Sequence, residues 1–506
     1  MSGVASFAYA QTPSPAAEQS TAFNSTFALT SDQIAAANLS AAQVDSLNNV
    51  IRFDRSQLAN GGPREDDFYT LSPLTNTSGP LAPGTLLKVQ PFTDPTPFAI
   101  PPNTALSRIL YTTRTFNGTV VPASAFVLWP FTPRKIASHG PVSRENHDGQ
   151  RFGQEQGNKA KPAGAPVILW MHGTSGFFPS QAPSSHRALW YGDAAPFAMA
   201  LAGYAVVAPD YAGLGIGTTW AGDHITHQYL MSRVSARDGL YALQAARAAF
   251  ADKLDDRFVA MGHSQGGGVA WGVAEVLAEE AYGRTEFADL AAGYRGTVAG
   301  SPTTQLFSVL PSLIAPFVSQ SLKSVFPSFQ LADWFTPAGA ARVKLFREIE
   351  GGISASMQLF LGDSAAQLLK DGWNETWYVE AYSQLANAGR RPFRGPMLVV
   401  QGTEDVYVPY RFTNDTVVAT CAAFPDSELE FLVVNGTGHV PTLDATRRVW
   451  LDWIQDRLEG KPARNDGCKR TELSSFLPVE QYLKVGNAFP QWAGAPEYSY
   501  EVPLGV

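Results

Sequence analysis

The chain has 506 residues, 45% of them hydrophobic and 11% aromatic, with 37 basic against 45 acidic side chains and a net charge of −8. That length and apolar content can fill a sizeable core, which excludes a disordered or low-complexity protein. With no dense basic cluster to neutralise phosphates, nucleic acid is excluded as a partner; the best apolar run, Ala194 to Pro209, is broken by Pro196 and ends at Asp210, so no transmembrane segment is expected.

The chain opens MSGVASFAYAQ, in which Ala8-Tyr9-Ala10 has the pattern of a signal-peptidase site and reads as the residual end of a signal peptide. Residues 11–29, rich in Pro, Ser, Thr and Ala, continue it, so that 1–29 is expected to be a loose arm. Ser40-Ala-Ala-Gln43 has capping-box spacing, and Val44, Leu47 and Ile51 then recur on one face of a helix expected to stop at Asn60-Gly61-Gly62. Two β-rich runs, 108–115 and 119–129, flank Asn117-Gly118, a pair suited to the positive φ angles of a tight hairpin. Helix and hairpin form an extension over 30–166, closed by a polar, glycine-bearing insertion at 131–165.

From residue 167 the pattern alternates between strand and helix. Strands are expected at 167–171, 205–208, 258–261, 296–298, 397–400 and 430–434, with helices at 195–202, 236–250, 265–280, 411–422 and 443–458 between and after them. Such alternation predicts a parallel, doubly wound α/β sheet over 167–302 and 393–467. Residues 303–392 show no strand signal. They carry Leu310, Leu313, Ile314, Phe317, Phe326, Phe329, Trp334, Phe335 and Phe360 at helical spacing, and are expected to form an inserted helical domain, some of whose side chains line an apolar pocket. Residues 468–506, aromatic and proline-bearing, are read as an irregular tail packed on the core.

The chemistry-bearing residues fall at the strand ends. Gly262-His263-Ser264-Gln265-Gly266 is a G-x-S-x-G pattern between a buried strand and a helix, where flanking glycines permit the strained turn that exposes a serine hydroxyl. A serine becomes nucleophilic only when an imidazole takes its proton and a carboxylate fixes that imidazole's tautomer. Asp405, on the loop after strand 397–400 and preferred over its neighbour Glu404, supplies the acid; His439, after strand 430–434, supplies the base. An oxyanion needs two donors, assigned to the amides of Gln265 and Thr174, with Gly173 the alternative to Thr174. His224-x-x-His227 beside Asp223 lacks the glutamate of a zinc motif and is read as a loop or core feature, and no metal is expected. His263 is read as a packing residue.

Export is also read from seven Asn-x-Ser/Thr acceptors among sixteen asparagines, at Asn24, Asn38, Asn76, Asn117, Asn374, Asn414 and Asn435, where about two would arise by chance. Asn435 lies four residues before His439, where a glycan would crowd the site, so this acceptor is expected to stay unused. In a secreted chain the only cysteines, Cys421 and Cys468, would form one disulfide; in a cytosolic one they would be two buried thiols.

The segments WMHGTSG (170–176), APDYAGLG (208–215), GHSQGGG (262–268), QGTEDVYVP (401–409) and GTGH (436–439) resemble those of the fungal secretory lipases and lipase-like esterases of the α/β-hydrolase superfamily. The resemblance implies an α/β-hydrolase fold with a helical lid ahead of the acid, and an exported, cofactor-free enzyme acting on a small-molecule ester or lipid. The 131–165 insertion has no place in that pattern. An acyltransferase using the same triad, a serine peptidase and a catalytically silent binding protein on the same fold are the rival readings.

Overall fold

The computed structural model describes residues 26–73, 81–136, 164–308, 311–361, 367–463 and 467–482. Among the described residues ten strands form one sheet: β1 (Leu86–Gln90), β2 (Ala105–Arg114), β3 (Val120–Trp129), β4 (Ala165–Met171), β5 (Ala205–Pro209), β6 (Leu254–His263), β7 (Tyr294–Gly300), β8 (Met397–Gly402), β9 (Leu429–Val434) and β10 (Cys468–Leu473). Their order is β1-β2-β3-β5-β4-β6-β7-β8-β9-β10. The pairs from β1 to β5 along this order are antiparallel and the rest parallel.

β4 shows why this sequence makes a two-sided sheet. Every residue of Ala-Pro-Val-Ile-Leu-Trp-Met is buried, as a parallel strand covered on both faces requires. Because side chains alternate, Val167, Leu169 and Met171 join one core with Leu240 and Val273, from the helices Ser232–Ala249 and Gln265–Ala278. Ile168 and Trp170 join the opposite core with Phe197, Trp450 and Ile454, from the helices Pro196–Leu201 and Arg447–Leu458. Each large apolar side chain so buried contributes about 1.5–3 kcal/mol. β5 and β6, the next two strands along the chain, flank β4 on opposite sides. The connections therefore diverge there and leave a crevice beyond the carboxyl ends of β4 and β6.

In the extension, Ser40 caps the helix Ala41–Ser56: the Gln43 amide donates to its Oγ at 3.3 Å and its own amide donates to Gln43 Oε1 at 3.0 Å. The helix stops earlier than the glycines predict, at Gln57. Leu47, Val50 and Ile51 are buried with Phe317, Phe346 and Leu359, so its apolar face docks on the segment between β7 and β8. The β2–β3 hairpin is looser than expected. Thr115 and Thr119 close it (3.0 Å), and only Gly118 has positive φ (+84°), as in a three-residue loop ending on a left-handed glycine.

Between β7 and β8 lie the helices Pro311–Val325, Leu331–Trp334, Pro337–Glu348, Ile353–Phe360 and Trp377–Ala386, with no strand among the described residues. Phe329, Trp334, Phe335 and Phe360 are buried in this segment's own core and Phe326 packs against it; Leu310 lies outside the described residues. Most of the 131–165 insertion, residues 137–163, is likewise outside them. The tail reading fails at its start, because Cys468–Leu473 pairs parallel with β9 from Cys468↔Leu429 to Leu473↔Val434. Its charged Cys-Lys-Arg-Thr-Glu-Leu sequence lacks apolar alternation because it is an edge strand, where exposed charges are favourable. Cys421 and Cys468 are bonded, joining the helix Tyr410–Ala423 to β10. No helix among the described residues is long and apolar enough to cross a membrane.

Candidate active site

Ser264 stands between β6 and the helix Gln265–Ala278 with φ +59° and ψ −122°, a strained conformation for a residue with a Cβ. The turn closes only because its flanks are glycine. A Cβ on Gly262 would lie 2.0 Å from the Gly266 carbonyl oxygen, and one on Gly266 would lie 1.9 Å from that of Met171. The Ser264 amide donates to the Gly300 carbonyl at 2.9 Å, and its carbonyl accepts from the amides of Gly268 (3.1 Å) and Thr303 (3.3 Å). The serine backbone is thus pinned from three sides.

The loops after β8 and β9 bring Asp405 and His439 together, with His439 Nδ1 donating to Asp405 Oδ2 at 2.7 Å. Asp405 is immobilised by further donors: the amides of Tyr407 (3.0 Å) and Val408 (2.8 Å) to Oδ1, and Gln401 Nε2 (3.0 Å) to Oδ2. Burial alone would raise this carboxyl, but the attraction and hydrogen bond of His439 and the Val408 amide outweigh it and hold Asp405 below the usual carboxylate range. Glu404, the competing acid, is exposed.

His263 ties the elbow to both neighbouring loops. The Tyr191 hydroxyl donates to His263 Nδ1 at 2.7 Å, while His263 Nε2 donates to the His439 carbonyl at 3.1 Å. Burial pushes the His263 imidazole down to about 3, consistent with a neutral ring carrying its proton on Nε2. The amides of Thr174 and Gln265 donate to no acceptor among the described residues, and Gln265 opens a helix whose first N–H groups have no intrahelical partner.

Ser264, His439 and Thr174 line one cleft. Its walls are mostly apolar: Leu313, Ile314, Phe317, Ile353 and Met357 from the helical segment, with Leu230, Val408, Phe412 and Val440 from the core. Tyr229, whose hydroxyl lies 2.9 Å from Thr174 Oγ1, packs edge-on against Phe317 and so couples the helical segment to the loop after β4. Tyr191, Tyr229, Trp190 and Met357 carry no sequence signal of their own, since each reaches the cleft only through the fold. His227 is buried against Tyr211, with Nε2 3.2 Å from the Gln265 side-chain nitrogen, whereas His224 is exposed. The two do not converge.

Of the acceptor asparagines, Asn38, Asn117 and Asn374 are exposed, while Asn414 and Asn435 are partly buried and hydrogen-bonded to Tyr410 and Ser474 respectively; Asn24 and Asn76 lie outside the described residues.

The alpha/beta hydrolase family matches residues 167–450. Lipase 10 of Candida albicans is 25% identical over 295 residues, covering 54% of this chain and 59% of that protein, so the chain spans about three fifths of the length of the curated relative it matches. Candida antarctica lipase A in its closed state shares the fold, with a TM-score of 0.58 and 14% identity over 80% of this chain and 88% of that one. The rice cell wall degrading esterase LipA from Xanthomonas oryzae has a TM-score of 0.54 and 19% identity, covering 74% of this chain and 100% of that one. With the family match running from β4 through the loop that carries His439 and into the last core helix, over more than half of the sequence, the chain belongs to the alpha/beta hydrolase family.

Proposed function

We propose that the protein is a secreted carboxylic ester hydrolase, of lipase or esterase type, working through Ser264, His439 and Asp405. The observation that carries this reading is the 2.7 Å bond from His439 Nδ1 to a buried Asp405, with His439 and Ser264 lining one apolar cleft. That bond commits the imidazole proton to Nδ1 and leaves Nε2 as the proton acceptor. Ser264 Oγ gives its proton to Nε2 and bonds to the ester carbonyl carbon; the amides of Thr174 and Gln265 hold the oxyanion of the tetrahedral intermediate. His439 then protonates the leaving alcohol as the C–O bond breaks. Water attacks the acyl-enzyme by the same route, giving the acid and restoring the serine.

An apolar cleft suits an acyl chain. The disulfide and the exposed acceptors Asn38, Asn117 and Asn374 support an oxidising, extracytoplasmic setting. Purified Ser264→Ala protein should lose about three or more orders of magnitude in p-nitrophenyl ester turnover, together with labelling by a fluorophosphonate probe. Near-wild-type turnover in that variant would falsify the assignment.

A further inference from the structure

Beside the apolar cleft lies a second cavity, between the helix Ala41–Ser56, the loop after β4 and residues 349–354 of the helical segment. The two cavities share a wall made by Trp190 and Ile353. They also divide one loop between them: Thr174 lines the apolar cleft and Ser175, the next residue, lines the second cavity.

The second cavity differs in chemistry. Ser175 is 4% exposed, and its buried Oγ has no hydrogen-bond partner among the described residues. Asp54 Oδ1 accepts from Ser354 Oγ at 3.1 Å, but its buried Oδ2 has no partner among the described residues. Buried polar atoms left unsatisfied cost stability, and a native fold retains them where a ligand or solvent completes them. The charges around the cavity balance, since Arg55 and Arg64 face Glu65 and Glu350 and the Arg64–Glu350 pair is closed at 2.5 Å. Burial pushes the Asp54 carboxyl up to about 8, so at neutral pH it can donate as well as accept. A neutral ligand bearing several hydroxyls matches this set of groups; an anion finds no field to hold it.

We propose that this cavity is the subsite for the hydroxyl-rich alcohol portion of the ester, a glycerol or sugar headgroup contacted by Asp54 and Ser175. The proposal rests on the ester-hydrolase reading for its link to turnover, and on the cavity alone for binding.

Three esters with one acyl group test it: glycerol monobutyrate, glucose monobutyrate and p-nitrophenyl butyrate, hydrolysed by the wild type, Asp54→Leu and Ser175→Val, with thermal unfolding as the check on folding. The ratio of kcat/KM for a polyol ester to that for p-nitrophenyl butyrate should fall about tenfold or more in each variant that folds, the loss expected from one hydrogen bond, and the polyol ester that loses more names the headgroup. Unchanged ratios in Asp54→Leu overturn the proposal. Saturation-transfer NMR with glycerol and methyl glucoside reads binding without turnover: transfer in the wild type that is lost in Asp54→Leu supports the subsite, and equal transfer in both refutes it. A wild type that binds the polyol but cleaves no ester would sink the hydrolase reading and leave the binding site standing.

Discussion

His263 Nε2 donates to the backbone carbonyl of His439 at 3.1 Å, and the two imidazoles lie 4.5 Å apart between centroids. The side chain next to the candidate nucleophile therefore holds the main chain of the candidate base. Through Nδ1 the same ring accepts from Tyr191, so the turn at Ser264, the loop after β9 and the segment after β4 share one hydrogen-bonded chain.

Replacing His263 by Phe keeps a planar ring but removes both hydrogen bonds. The kcat of His263→Phe on p-nitrophenyl butyrate should drop about ten- to a hundredfold while KM stays within about threefold, because the loss is in the placement of the base. Tyr191→Phe, which breaks only the outer bond, should show a smaller drop of the same kind. A change confined to KM would assign His263 to substrate binding instead.

Asp405→Asn preserves size while presenting an amide to His439 Nδ1. The imidazole then favours the tautomer with its proton on Nε2, which cannot accept from Ser264, and kcat should fall about 10⁴-fold at neutral pH. Steady-state kinetics and the rate of fluorophosphonate labelling should fall together, since both need the same proton acceptor. Asp405→Asn that labels at the wild-type rate would move the acid elsewhere.

Leu313 and Ile314 project from the helical segment into the cleft. Leu313→Trp should fill part of its volume and lower kcat/KM for long-chain p-nitrophenyl esters relative to the butyrate by about tenfold, as a pocket shape change of several carbons would. If the chain-length profile of Leu313→Trp superimposes on that of the wild type, the acyl chain does not lie along this wall.

Glu275, buried in the helix after the elbow, accepts from the Gly389 amide at 2.7 Å and lies 3.9 Å from Arg391. Burial pushes its carboxyl up to about 7 against the opposition of those two groups. The folded chain thus keeps a proton that the unfolded chain releases, so this contribution to stability is present below the ordinary carboxylate range and is lost as pH rises through about 7. Glu275→Gln cannot ionise. Its melting temperature should therefore gain on the wild type between about pH 5 and about pH 8; a constant difference across that range would mean that Glu275 ionises alike in the folded and unfolded chains.

The surroundings of Ser264 are legible in the sequence because they are local. A run of buried residues at strand spacing, a helix directly after it and glycines at 262 and 266 are consequences of neighbouring residues alone, and the steric clashes at those glycines explain why no other residue serves there. The same holds for the Ser40 cap and for the strands that end near Asp405 and His439. β10 is not legible, since its charged edge lacks the alternation that marks a half-buried strand.

Taken alone, the sequence determines the alternation of strands and helices, the turn at Ser264 and the segments that carry an acid and a base, because each depends on spacing within a few residues. Only the tertiary structure decides that Tyr191 and His263 link three loops, that Asp54 and Ser175 come from distant segments to one polar cavity, and that Leu313 and Ser264 line the same apolar one. Those meetings are set by which buried faces pack together, and residues far apart in the chain carry no local pattern that announces their contact.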